Sequence, residues 1–204
     1  MFDLGALYSE LCRAADGGDF ETAVLASPLG DQLVTLHPLG FNVVKIETPP
    51  HALRLHLWKC SGVEQPGFEV HDHVFDLKSR VIDGAIRHRA YRSVADPSGE
   101  HVFYRVEYGD QLSELSKTQE RFTLQLVDEQ VYRAGTSYSV NAFDLHDAEM
   151  VEGISAVTLV LTTHVGGNPR TVGPWNGQQT LSAIRAVVGL KPLRDFGLAG
   201  ALNL

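Results

Sequence analysis

Cysteine is almost missing from this chain: Cys12 and Cys60 are the only two in 204 residues. They lie far apart and outside any metal-ligand spacing, which argues against a disulfide framework or a zinc-finger module. Both are expected as small buried hydrophobes in a reduced, cytoplasmic protein. Positive charge is also short. Seventeen Lys and Arg face twenty-five Asp and Glu, a formal net charge of −8, so no phosphate-neutralising surface and no nucleic-acid partner are expected. Long apolar runs are absent too: none approaches eighteen residues, and no membrane span is expected. The opening MFDLGALYSELCRAADGG carries acids early and lacks a basic stretch before an apolar block, so it does not read as a signal peptide. Internal repeats and low-complexity linkers are lacking as well.

What remains is the balance of an ordinary globular chain, 44% apolar and 21% charged. Its length suits one well-buried core over residues 1–204 and is short for two. Phe2, Leu4, Leu7 and Leu11 recur at helical spacing, which predicts a helix over about residues 1–20 that ends in DGGD. From about Gly40 the pattern changes to short strands bounded by Gly, Pro, Asp or Ser. They include FNVVKIE, ALRLHLWKC, EVHDHVF, LKSRVID, AIRHRAYRSV, HVFYRVEY, RFTLQLVDEQVYRA, SYSVNAF and SAVTLVLTTHV. With no helices interleaved, they predict an antiparallel sandwich or barrel over about residues 40–165. Leu181, Ile184, Val187 and Val188 then fall on one helical face, predicting a second helix over about residues 176–190 that Gly189 and Pro192 end. The fold class is therefore all-β with flanking helices.

The stretch FEVHDHVFDLKSRVIDGAIRH, residues 68–88, concentrates the chemistry. In a strand, residues two apart face one side, so His71 and His73 share a face. A solvated edge, or a turn capped by Asp72, would explain an isolated pair. Imidazoles buried without partners cost about 1–3 kcal/mol each, whereas a shared metal ion uses their neutral nitrogens as ligands. His146, in YSVNAFDLHDAE, follows a turn and precedes a long apolar strand, where a later barrel strand would bring it beside the pair. Three such nitrogens leave two or three positions open for water, substrate or dioxygen.

The run from LRLHLW through HDHVFDLKSRVIDG, with FDLHDAE and SAVTLVLTTHV, resembles the cupin superfamily and is most similar to its cysteine-dioxygenase-like, or thiol dioxygenase, branch. The positions that carry the resemblance are Trp58, His71-Asp72-His73, Gly84 and Leu145-His146, within roughly residues 40–165. It implies a double-stranded β-helix, or jelly-roll, barrel with iron(II) held by His71, His73 and His146; zinc, nickel and manganese are the alternative ions. Many cupins carry a glutamate where this chain has Leu77 and Lys78, and the thiol dioxygenases lack it as well. Asp76, one residue early, reads first as a surface or turn aspartate, and otherwise as a fourth ligand or an orienting partner for a ligand histidine. Two features of that branch are missing: the cysteine–tyrosine pair that some members cross-link, and an arginine in GFNVVKIE to clamp a substrate carboxylate.

Candidate substrate contacts lie on neighbouring segments. Arg54, His56 and Trp58 share one face of their strand and Leu53, Leu55 and Leu57 the other. If the polar face looks inward, it lines a cavity suited to an anionic, part-apolar small molecule; if outward, it lies on the outer sheet or at a dimer contact. His88 either enters the cavity as a proton shuttle or simply packs. Tyr138 and Asn141 either simply pack or place a hydroxyl or an amide near the metal. His37, His51, His101 and His164 read as surface residues, and Trp175, in a Gly/Pro-rich loop, as cover for one barrel mouth or, alternatively, a lid over the site. The expected function is a mononuclear non-haem metal oxygenase acting on a small polar molecule, a thiol in the branch named. A non-catalytic metabolite-binding barrel and a metal-dependent lyase or isomerase stand as alternatives. A barrel with an apolar outer sheet often pairs with a second copy, so a homodimer is expected by analogy of fold alone.

Overall fold

The structure is a computed structural model that describes residues 3–59, 66–109, 112–151, 155–184 and 186–204. Cys60, expected as a buried thiol, lies outside the described residues. Helix α1 spans Leu4–Gly17, inside the expected segment. Asp3 starts it by accepting a hydrogen bond from the Ala6 amide at 3.0 Å, and Gly18 ends it at φ 84°. Leu4, Tyr8 and Leu11 form its buried stripe. A short helix, α2 (Phe20–Ala26), and a single 3-10 turn, Pro28–Asp31, lead into the sheets.

The strands are β1 (Leu33–Leu36), β2 (Asn42–Thr48), β3 (His51–Trp58), β4 (Phe75–Asp83), β5 (Ala85–Ala95) and β6 (His101–Tyr108). They continue as β7 (Leu112–Arg133), β8 (Ser137–Val140), β9 (Leu145–Met150), β10 (Ala156–His164), β11 (Arg170–Pro174), β12 (Thr180–Ile184) and β13 (Val187–Pro192). One antiparallel sheet runs β13-β1-β2-β3-β10-β4-β8 and the other β11-β6-β7-β5-β9, with β12 paired to β7. The first sheet takes β10 between β3 and β4, strands distant from it in sequence, as a jelly roll requires. The architecture is all-β, two antiparallel sheets in a jelly-roll arrangement with the helices outside.

Alternation along β3 settles which way its polar residues look. Leu53, Leu55 and Leu57 are fully buried with Leu4, Leu11 and Val24 beneath the helices. Arg54, His56 and Trp58 therefore face the space between the sheets. Gly84 turns β4 into β5 at φ 73°, where a Cβ would meet the Ser155 carbonyl oxygen at 2.2 Å.

Two expectations need correction. Residues 176–190 form no helix: β12 and β13 occupy them. Leu181 pairs with Leu115 and Ala183 with Ser113, while Thr35 pairs with Val187. Open edges of β7 and β1 recruit a segment rich in β-branched residues, and tertiary pairing overrides the helical spacing. Ile184 and Val187, assigned to a buried helical face, are exposed at 59% and 41%. The C-terminal helix is instead α3, Gly197–Leu202, tied down where the Asn42 amide donates to the Ala201 carbonyl at 2.8 Å. Likewise EVHDHVF is no continuous strand. Residues 68–74 form a loop that touches the sheet through isolated bridges at His71. Among the described residues no helix is long and apolar enough to cross a membrane.

Candidate metal centre

The loop bearing the paired histidines is pinned on both sides by backbone hydrogen bonds. The His71 amide donates to the His146 carbonyl at 2.9 Å, and the His146 amide returns a bond to the His71 carbonyl at 2.9 Å. That reciprocal pair brings together two residues seventy-five positions apart in sequence. The Phe143 amide donates to the His73 carbonyl at 2.8 Å, and the Asp72 amide to the Arg170 carbonyl at 2.9 Å. Asp72 points away from its neighbours: its side chain is 0% exposed and takes an ion pair from Arg170 at 2.7 Å. The Arg170 amide and Nε add bonds to the same carboxylate at 2.6 and 2.8 Å. The alternation expected of a strand thus survives in a loop because Arg170 captures the middle residue.

The three imidazoles converge. Their ring centroids lie 4.7 Å (His71–His73), 4.7 Å (His71–His146) and 4.9 Å (His73–His146) apart, and one ligand atom from each falls within 4.8 Å of the others. His71 Nδ1 donates to the Glu69 carbonyl at 2.7 Å and His146 Nδ1 to the Asp144 carbonyl at 3.0 Å. Those bonds fix the tautomer and leave Nε2 of each ring with its lone pair. His73 stacks on Phe75 at 4.4 Å. Burial pushes all three below the ordinary imidazole pKa; neighbouring imidazoles push His73 and His146 further, while the Glu69 carbonyl and nearby acids oppose the shift at His71. The result is three neutral nitrogen donors on one small surface, a set that fits a divalent first-row cation. Among the described residues no carboxylate or thiol joins them.

The cavity over these rings is walled by Arg54, His56, Trp58 and Tyr138. The Arg54 guanidinium sits 4.6 Å over the Phe75 ring. Trp58 spends its indole N–H on Thr158 Oγ1 at 3.1 Å and offers the cavity only its ring. Burial, reinforced by the Arg54 charge, lowers His56 to a pKa of about 3 and keeps it neutral. Burial raises the Tyr138 phenol above its ordinary value, so it keeps its proton. His88 does not line the cavity: it stacks behind His146 at 5.4 Å, with a buried Nε2 that has no hydrogen-bond partner among the described residues. Asp76 is exposed and accepts from the Ala142 amide at 2.8 Å, and the Asn141 amide donates to Asp144 at 2.9 Å. Both hold the turn ahead of His146, and neither reaches the rings.

His37 is the residue that sequence reading missed. Expected on the surface, it is half-buried in the loop between β1 and β2, lines the cavity and stacks on Phe41 at 4.4 Å. Nothing in its spacing links it to the HDH segment; only the turn signal HPLG hints at a loop that folds back. His101 is also half-buried, near Phe122, while His51 and His164 are exposed as expected. Trp175 covers neither cavity that reaches the histidines; its ring lies under Lys117 and Arg121.

Fold and site together define a two-sheet jelly-roll barrel with a three-histidine candidate metal centre. No protein-family model matches the chain, and no curated protein matches it. Several solved structures are similar. Fe(II)-HppE with the alternative substrate (S)-1-HPP shares 11% identity over 60% of this chain, at a TM-score of 0.34; the chain spans about half, 49%, of that protein. An Acinetobacter sp. DL28 L-ribose isomerase shares 12% identity over 78% of this chain and 80% of its own, at 0.41. A structure of DMSP lyases shares 14% over 80% and 76%, at 0.40. Likeness at this level transfers no residue roles, and the site rests on its own geometry.

Proposed function

We propose that this chain is a mononuclear non-haem oxygenase that holds iron(II) through His71, His73 and His146 and acts on a small anionic molecule, a thiol foremost. The observation that carries the reading is the donor set: three neutral imidazoles converge beside Arg54 with no carboxylate among them. Neutral ligands leave the ion's positive charge uncompensated, so the site favours a substrate that brings its own thiolate or carboxylate. Iron(II), when bound, would supply a place where dioxygen is activated, and the electrons that reduce it would come from the substrate, whose thiolate sulfur takes up both oxygen atoms to become a sulfinate.

The chain's own residues bind and orient. Arg54 faces the cavity as its fixed cation and receives a second anionic group of the substrate. It takes the part of the clamp that GFNVVKIE lacks, one strand later. Tyr138 keeps its O–H as a hydrogen-bond donor at the wall, and neutral His56 adds a polar contact without a competing charge. Phe41, Trp58 and Phe75 keep water off the faces of the rings.

The test is metal analysis of protein purified without added metal, followed by oxygen-electrode assays of iron-loaded protein with small thiols and small acids. About one iron per chain and thiol-dependent oxygen uptake are expected. Iron-replete protein that consumes no oxygen with any of them overturns the oxygenase reading. Turnover under strict anaerobiosis would instead assign Lewis-acid lyase or isomerase chemistry, and protein that takes up no metal would be a metabolite-binding barrel.

A further inference from the structure

A second cavity also reaches the candidate metal centre. It shares His37, Leu39, His71 and His73 with the first, but His146 lines only the first. Beyond those shared residues its walls differ in character. Phe68, Val106, Leu115 and Ala183 supply apolar lining from the histidine loop, β6, β7 and β12, and Pro38, Tyr108 and Pro169 add to it. Its one ion pair, Asp72 with Arg170, is already satisfied internally and presents no fixed charge that needs a ligand. At the wall stands Ser113, 2% exposed, with a buried Oγ that has no hydrogen-bond partner among the described residues. A buried hydroxyl without a partner is unfavourable, and a protein that keeps one usually has a group to meet it.

We propose that this second cavity seats an apolar arm of the substrate. The arm runs from the donor atom at the histidines past His71 and His73 and ends in a polar group that hydrogen-bonds Ser113. The inference rests on the metal reading, because the histidines fix where the arm starts. It also narrows the substrate class. The molecule carries an anionic head for Arg54, a donor atom at the imidazoles, and an aliphatic or aromatic arm with a hydrogen-bonding tip. A compact amino-acid thiol would leave the chamber unfilled. The mostly apolar lining selects the arm, as in ligand sites with a few placed polar groups.

Cobalt(II)-loaded protein provides the test, with straight-chain alkanethiols from ethanethiol upward as probes and the thiolate-to-cobalt absorption band as readout. Affinity should tighten about threefold to fourfold per added methylene until the chamber is full, the value of burying each CH2. Ala183→Phe should flatten this series, the loss of affinity growing with chain length from ethanethiol upward, with cobalt uptake at the histidines confirmed for the variant. Val106→Phe, at a half-buried position, serves if Ala183→Phe does not fold. A terminal hydroxyl on the longest chain should add affinity that Ser113→Ala cancels. Straight-chain carboxylates titrated into metal-free protein by calorimetry give the chain-length dependence without any metal. Absence of cobalt uptake sinks the metal centre, whereas a flat series in both titrations, or a slope that survives Ala183→Phe, overturns the chamber.

Discussion

Asp72 carries much of the local order around the candidate centre although it never faces it. Two imidazoles either side of a buried carboxylate are held because Arg170 grips that carboxylate through its amide, Nε and Nη2. The Arg170 guanidinium in turn sits 4.2 Å over the Phe103 ring. Removing one partner of a buried pair leaves the other desolvated and uncompensated, so Arg170→Met should lower stability by about 3 kcal/mol, near the low end for such pairs because Arg170 is partly exposed. Metal affinity should fall roughly 10–100-fold, the usual effect of losing a group that orients a ligand. Pairing it with Asp72→Asn should restore most of the stability. Urea titrations read the first quantity and metal titrations the second; a single variant with parent-like values in both refutes the clamp. The HDH spacing was legible in sequence, and so was His146, because a two-residue period and a preceding turn are local signals. Arg170 and His37 were not. Arg170 lies ninety-eight residues from Asp72, and His37 reaches the cavity through a loop whose path only the packed sheets define.

At the scale of elements, α1 and most strands could be read because each pattern agreed with its surroundings. Leu4, Tyr8 and Leu11 follow the helical period and have a sheet to cover. The segment containing β12 and β13 failed because the same spacing serves two periods, and only the open edges of β7 and β1 decide between them. Two substitutions separate local from tertiary control. Asp3→Ala removes the hydrogen bond that starts α1 and should cost about 1 kcal/mol, leaving the site intact. Gly84→Ala should cost more, about 1–3 kcal/mol, because a side chain is strained at positive φ and its Cβ would press on the Ser155 carbonyl between β4 and β10. Thermal melting of the two variants orders these costs. A Gly84→Ala protein as stable as the parent would mean that the β4–β5 turn adapts, and that the glycine is not what fixes the approach of β10.

For the molecule as a whole, a set of neutral imidazoles buried between two sheets couples folding to pH. His56 has a pKa of about 3 in the fold against an ordinary 6.5. His71, His73, His88 and His146 are displaced in the same direction, with burial the largest cause at each. Over the window that these depressed values open below 6.5, the unfolded chain binds protons that the folded chain refuses. Stability therefore rises with pH through that window and is lost as pH falls below the ordinary histidine value. A bound cation sharpens the effect, because it occupies lone pairs that protons compete for. The urea midpoint of metal-free protein should fall steadily from about pH 7 to about pH 5, above the range where carboxylates dominate. His56→Leu should flatten that slope by the share of one group, since a leucine has no proton to refuse. The metal-loaded protein should start higher and fall more steeply, converging on the metal-free curve as the ion is released. A metal-free midpoint that stays level across the window would mean that these imidazoles protonate freely in the fold. In that case the space between the sheets is wet, and burial is not what keeps the three rings neutral for a metal ion.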